Sequence, residues 1–332
     1  MTQNITIEDG NHLQLGELSL SFQRTLRIPD DGRDYPLPPG LGRFPIRRVA
    51  DYADRVPEGW AEQGGVFLPM YQREAMWLSF SGAQRALKVG IGKVCAISGK
   101  RWKKGLTSKP QNYVVTGSQP WLDGIASGKG TIRQFVAMPL GMGYTVEAQV
   151  TGEEKFGGVQ LQVYDPKPGR IPVPRGPYRS ALGGPPPCAA APSPRRRQAP
   201  GSMGIAAGGR MRQKIYPDPL GVNTWDTSTR TRVFVHIVNS ELWREITGEE
   251  PPASPVTAKS YAQAGLPWFD LYDEGLATVS PTPTLAKVKS VKELDQENFG
   301  TALQDEAPVY TGPVKKIINA ALDVLRVSDG DW

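Results

Sequence analysis

The sequence predicts a mainly β protein with an α/β C-terminal part: a sandwich-like or barrel-like core of short antiparallel strands plus a few short helices. Three observations carry this. Gly (37) and Pro (31) make up about a fifth of the 332 residues, against an average of about 12%, and both penalise helix interiors. Over 18–28, Leu18, Leu20, Phe22, Leu26 and Ile28 alternate with mostly polar neighbours, a period of two that puts one face on a core. Short apolar runs bounded by glycine then recur along the chain, the pattern of a sandwich or barrel.

After 18–28, the stretch DDGRDYPLPPGLGRFP is Pro-fixed and irregular. Further strands are expected at 64–69, 86–97, 112–116, 131–138 and 144–150. In GVQLQVYD, Val159, Leu161 and Val163 should point inward and Gln160 and Gln162 outward. Residues 232–238, RVFVHIV, form an almost continuous apolar strand, expected to be buried on both faces. Ser240 is placed to cap a helix over ELWREIT that stops at Gly248, and VTAKSYAQAG reads as a second helix ending at Gly265. Leu285, Val288, Val291 and Leu294 form one helical stripe. A last amphipathic helix starts at Pro313 and presents Val314, Ile317, Ile318, Ala321, Leu322 and Leu325.

This gives a tail over 1–14, a β-rich domain over 15–172, a Pro/Gly/Ala/Arg-rich linker or long loop over 173–210, and a smaller mixed α/β part over 211–332. The net charge of +6 is uneven: from Glu241 onward 15 acids face 8 bases, leaving +13 for the first 240 residues. Between Glu74 and Asp123 there are eight bases and no acid. Such asymmetry is read first as two parts of one molecule that attract each other, and second as a polyanion contact. Two cysteines, Cys95 and Cys188, cannot make a disulfide framework. No signal-peptide pattern opens the chain, and no run of about 18 apolar residues occurs. The expected location is a reducing cytoplasm.

Candidate chemistry starts from an echo. QPWLDG at 119–124 and LPWFDL at 266–271 both write Pro, Trp, a large apolar residue and Asp. The second runs into Tyr272, Asp273 and Glu274. Asp123, Asp270, Asp273 and Glu274 could act as acid and base on a glycosidic bond, with Trp121, Trp268 or Tyr272 as ligand-binding platforms, or hold a hard cation. The plainer reading is a repeated corner, in which Pro fixes the approach, the indole packs on a core edge and Asp binds nearby backbone N–H groups.

GIASGKGT at 124–131 lacks the four-residue spacing of a phosphate loop and reads as a Gly-Lys-Gly hairpin, and Gly90 in VGIGK marks a bulge or close approach. With two histidines, His12 and His236, and no paired cysteines, no metal site or other cofactor is expected. His236 lies in a strand, a core histidine before a catalytic base. In SGKRWKKGLTSK, Lys100, Arg101, Trp102, Lys103 and Lys104 could track a phosphate backbone and stack on a base. The same composition also protects an exposed edge hairpin.

FQRTLRIPDDGRDYPLPPGLGRFP, GTIRQFVAMPLGMGYTVEAQVTGEEKFGGVQLQVYDPKPGR and TRVFVHIVNSELWREITGEEPP resemble a family of bacterial proteins without an assigned function. The resemblance covers most of the chain outside the linker and implies no catalytic residues. Some members carry the label integral membrane protein, which this sequence does not support. The leading expectation is a non-catalytic binding or self-assembly protein of the bacterial cytoplasm, with a protein partner or a second copy. The alternatives are a carbohydrate-acting or metal-dependent enzyme built on Asp270, Asp273 and Glu274, and a nucleic-acid or other polyanion binder built on 98–109.

Overall fold

The computed structural model describes residues 5–171, 201–272, 277–301 and 314–318. The chain opens with β1 (Ile5–Glu8), β2 (His12–Leu15), β3 (Leu18–Thr25), β4 (Asp34–Tyr35), β5 (Gly40–Arg43) and β6 (Arg47–Arg48). Then come α1 (Trp60–Gln63), β7 (Val66–Met70), β8 (Ala75–Gly82), β9 (Ala86–Ile91), β10 (Val94–Cys95) and β11 (Val114–Val115). Next are β12 (Trp121–Leu122), β13 (Gly124–Gly128), β14 (Thr131–Pro139), α2 (Val146–Thr151) and β15 (Val159–Pro166). The described chain continues through β16 (Ser202–Arg212), β17 (Trp225–Asn239), α3 (Ser240–Thr247), α4 (Ala258–Gln263) and β18 (Trp268–Tyr272). It closes with α5 (Pro283–Ala286), α6 (Val291–Phe299) and β19 (Val314–Ile318).

Most strands join one branched, mainly antiparallel sheet whose spine runs β1–β2–β3–β8–β14–β16–β17–β15–β9. Its pairings never return on themselves, so among the described residues the sheet is open rather than a closed barrel. It packs as a sandwich: Leu20, Phe22 and Leu78 of one arm share a core with Val89, Leu161 and Val235 of the other. Each such side chain contributes about 1.5–3 kcal/mol on burial. The period of two in β3 is the cause on its side, since Leu18, Leu20 and Phe22 are fully buried while Ser19 and Gln23 are half-exposed. β17 pairs with β15 on one edge and, in parallel, with β7 on the other. His236, Ile237 and Val238 are buried in succession there, as a strand covered on both faces requires.

Several expectations are corrected. The 1–14 tail is largely a hairpin of β1 and β2. Residues 146–151 are a helix, not a strand, because the Thr145 side chain accepts from the Ala148 N–H at 3.1 Å and caps it. Gln160 and Gln162 are buried rather than outward, since β15 is covered on both faces. Gln160 Nε2 donates to the Gly92 carbonyl at 2.6 Å. Asn239, not Ser240, caps α3. The stripe from Leu285 to Leu294 is split between α5 and α6, because Ser290 and Glu293 form a capping box that starts a new helix. Residues 314–318 are a strand parallel to β18; the rest of the expected C-terminal helix lies outside the described residues.

The division at 173–210 also needs correction at its C-terminal end. Residues 202–212 are not linker but β16, which pairs with β14 along almost its whole length. Its small residues are there for want of room. A Cβ on Gly204 would stand 2.7 Å from the Thr145 methyl, and one on Gly209 would stand 2.3 Å from the Pro29 carbonyl oxygen. Strands from both sides of the expected boundary therefore share one sheet. The attraction between basic and acidic parts takes a concrete form: Arg47 pairs with Glu249 at 2.5 Å, Arg73 with Asp295 at 2.8 Å, and Arg133 with Glu293 at 3.2 Å.

Gly209→Ala should therefore lower stability by about 1–3 kcal/mol through overpacking against backbone that has nowhere to go. Urea unfolding followed by tryptophan fluorescence would read this as a lower midpoint at unchanged slope.

Candidate functional site

The first copy of the echo is a corner with a defined chemistry. β12 pairs with β8, and the chain turns at Asp123 into the β13–β14 hairpin. That hairpin turns through Lys129 and Gly130, whose φ of +73° suits glycine, as expected for a Gly-Lys-Gly hairpin rather than a phosphate loop. Asp123 is buried. One carboxylate oxygen accepts from Gln213 Nε2 at 2.5 Å, while Gln213 Oε1 accepts the Asp123 backbone N–H at 3.1 Å. Burial pushes the Asp123 carboxyl up to about 7, against the pull of Gln213 and of the nearby Trp121 indole. The Asp of the motif therefore ties the corner to Gln213, just beyond β16.

Trp121 is half-exposed and meets Trp77 edge to face, with ring centroids 6.3 Å apart. The second copy differs. Trp268 is fully buried between Tyr35 and Tyr261, at 6.2 and 6.1 Å. Phe269 exchanges backbone hydrogen bonds with Leu37 at 2.7 and 2.9 Å. Trp268 thus packs the core instead of offering a platform. Among the described residues no hydrogen bond or ring contact joins Asp123 to Trp268. The side chains of Asp270 and Tyr272, and the whole of Asp273 and Glu274, lie outside the described residues.

His236 is a core histidine. Its Nε2 donates to the Gly64 carbonyl at 3.0 Å, and its ring stacks on Trp60 at 4.2 Å. Burial lowers its pKa to about 4, so it stays neutral near pH 7. His12 is also shifted down, by burial and then by Arg43. Among the described residues no group of three or more His, Cys, Asp or Glu side chains could hold a metal ion.

The basic segment is organised by a buried cation that sequence reasoning did not single out. Lys88 Nζ donates to the Lys103 carbonyl and to the Gly105 carbonyl at 3.0 Å, and it lies 4.6 Å from the centroid of the Trp102 ring. Trp102 covers Gly90, where a Cβ would stand 2.6 Å from the indole, the close approach expected there. Burial lowers the Lys88 pKa. Trp102 is therefore pinned to β9, while Lys100, Arg101, Lys103 and Lys104 are exposed around it. Among the described residues no carboxylate forms an ion pair with these four.

Sequence reasoning also missed the buried glutamines. Gln119 donates to the Trp121 and Lys214 carbonyls at 3.1 and 3.2 Å and accepts the Tyr216 N–H at 3.0 Å. Gln111 donates to the Tyr113 and Tyr216 carbonyls at 2.8 and 3.1 Å and accepts the Asp218 N–H at 2.9 Å. No local signal marks them, since Gln111 and Gln119 lie among polar and turn-forming neighbours in TSKPQNY and TGSQPW.

No family model, curated protein or solved structure matches the chain, so the family resemblance of the quoted segments gains no support from these comparisons. Among the described residues no helix is long and apolar enough to cross a membrane.

The buried carboxyl sets a pH test. A folded pKa near 7 against an ordinary 3.8 means that the folded state holds the extra proton between those values. This group's contribution to stability is therefore highest below about pH 4, falls as pH rises to about 7, and is level above. Relative to wild type, Asp123→Asn should gain stability between pH 4 and pH 8, read from urea midpoints at the two ends.

Proposed function

We propose that this protein is a non-catalytic binding or self-assembly protein. One observation supports the reading most directly: the candidate catalytic groups that can be examined are consumed by the fold. Asp123 holds Gln213, and His236 holds the Gly64 carbonyl. Trp268, offered as a platform, is fully buried. A catalyst needs an acid or base within reach of substrate, and none of these three faces outward. The enzyme alternative is left with Asp270, Asp273 and Glu274. The half-exposed aromatic and charged side chains instead suit recognition of a partner. A large discrete particle, seen by light scattering at two protein concentrations and two salt levels, is the expected outcome; a monomer under all four conditions would overturn assembly and leave ligand binding.

A second reading is favoured by the loop around Trp102. Lys100, Arg101, Lys103 and Lys104 are presented on a rigid base, because the loop's own carbonyls bind Lys88. Contacts of these bases with a polyanion would release counterions and weaken steeply with salt. Trp102 does not enter this reading as a stacking group, since it is committed to Gly90 and Lys88. Retention on heparin resin beyond physiological salt, lost in a Lys100→Glu, Lys103→Glu, Lys104→Glu variant, is expected on this reading; elution near physiological salt would exclude it.

A further inference from the structure

The outward face of β3, β8 and β12 carries an ordered row of mostly half-exposed groups, of which Ser21 is buried and Trp121 also packs against the main core. Register fixes them on one side: Gln23 stands opposite Trp77, Ser21 opposite Ser79, Ser19 opposite Ser81, and Trp121 opposite Ser79. Their alternates Leu20, Phe22, Met76, Leu78 and Leu122 are all fully buried on the other side. The row is therefore two indoles flanked by hydroxyls and one carboxamide, with no charged residue in it. Gln23 Nε2 donates to Ser21 Oγ at 2.8 Å, which leaves its carboxamide oxygen and second N–H for another partner.

The two indoles are built to stay in place. Trp121 packs against the main core on one side and edge to face on Trp77 on the other. Trp77 is backed by the Gly40 backbone, where a Cβ would be in contact at 3.4 Å. The Trp77 N–H is buried, so the ring offers carbon surface outside. Rigid indoles at an angle of 64° make a shallow corner with hydrogen-bonding groups along one side.

That combination matches one class of polymer. A proline-rich segment in the polyproline II form has no internal hydrogen bonds, so its carbonyls are free to accept. Its rings are flat and apolar, and its ordering cost is already low. Prolines would pack in the corner between Trp77 and Trp121, while serine hydroxyls and the Gln23 carboxamide donate to the intervening carbonyls. The chain itself carries such a sequence outside the described residues: Pro185, Pro186 and Pro187, then Pro192 and Pro194, within 172–200. This stretch starts beside the packed Ile171 and ends at β16. Were it fully extended at about 3.1 Å per residue, this stretch, joined to the fold at both ends, would reach out by at most roughly 45 Å, half of its contour. We propose that the Trp77–Trp121 face binds the proline-rich segment of a second copy of this chain. The proposal rests on the self-assembly reading and gives it a contact.

The test uses the full-length protein and a fluorescently labelled peptide of residues 183–200, with Ser for Cys188, followed by anisotropy. Saturable binding is expected, weakened at least tenfold when Pro185, Pro186 and Pro187 are Ala in the peptide. That control peptide keeps Arg195, Arg196 and Arg197, so equal binding of both would mean a charge contact and overturn the proposal. Ser79→Arg places bulk and charge between the indoles from a half-exposed position and should also weaken binding at least tenfold. Trp77→Phe is the companion variant, read only if its far-UV spectrum and urea midpoint are retained. Undiminished binding by Ser79→Arg, or no saturable binding to wild type, overturns the inference. So does a shift of tryptophan fluorescence by cellohexaose with none by the peptide, which would reassign the face to sugars. The two readings can fail apart: a particle in light scattering without peptide binding defeats this contact alone, whereas peptide binding by a strict monomer defeats assembly and overturns the second copy as occupant, leaving the segment to its own chain.

Discussion

Buried carboxamides that behave as extra peptide units hold this open sheet together. A sheet that branches leaves backbone donors and acceptors unpaired wherever one strand parts from another, and each such group left dry costs about 1–3 kcal/mol. Gln134 closes one gap, donating to the Leu26 carbonyl at 2.8 Å and accepting the Ile28 N–H at 3.1 Å. Gln119 and Gln111 tie the run after β16 to the chain around β11 and β12, and Gln213 does the same at Asp123. Each carboxamide offers one acceptor and two donors in a plane, the same pattern as the strand edge it replaces.

The same logic explains why the acidic corner is not a reactive centre. A carboxylate enclosed with a carboxamide and close to an indole has water kept out. Its raised pKa follows from burial, and such a shift can accompany a structural role as readily as a catalytic one. Lys88 is the cationic counterpart. Two loop carbonyls and an aromatic ring stand in for its hydration shell, and the loop's path is set by that need.

Legibility in the sequence divided along a physical line. Local rules worked: the alternation over 18–28, the Lys129–Gly130 turn, the two-sided burial within 232–238, which holds over 235–238, and the helix stop at Gly248 depend on near neighbours. What failed depended on distant ones. Gly204 and Gly209 look like linker residues until Thr145 and Pro29 are seen pressing on them. Trp102 looked available for stacking because nothing nearby in sequence shows Gly90 beneath it. Two misses were within reach. Ser290 and Glu293 have capping-box spacing that the three-residue stripe of Leu285, Val288 and Val291 overrode, and Thr145 announces a helix that an apolar count took for a strand. Of the candidate site, Trp121 and Asp123 read as a corner in which the carboxylate takes backbone N–H groups; the chain does turn there, but the carboxylate takes the distant Gln213 side chain instead, and the outward neighbour Trp77 shows only in the register of β8 against β12.

The insertion of β16 and β17 into the middle of the sheet has a consequence for synthesis. In the strand pairings of the described residues, β8 and β14 join β15 and β9 through these two later strands, which are complete only at Arg212 and Asn239. At a ribosomal rate of about 5–20 residues per second, the edges of β14 and β15 wait on the order of several seconds for their partners. During that interval Ile132, Phe135, Leu161 and Val163 belong to half-built layers, and the strand edges that β16 and β17 will occupy are open to any other extended chain. A nascent protein of this design is therefore most vulnerable to mispairing midway through translation, and slower decoding of the codons between 167 and 239 would lengthen that exposure.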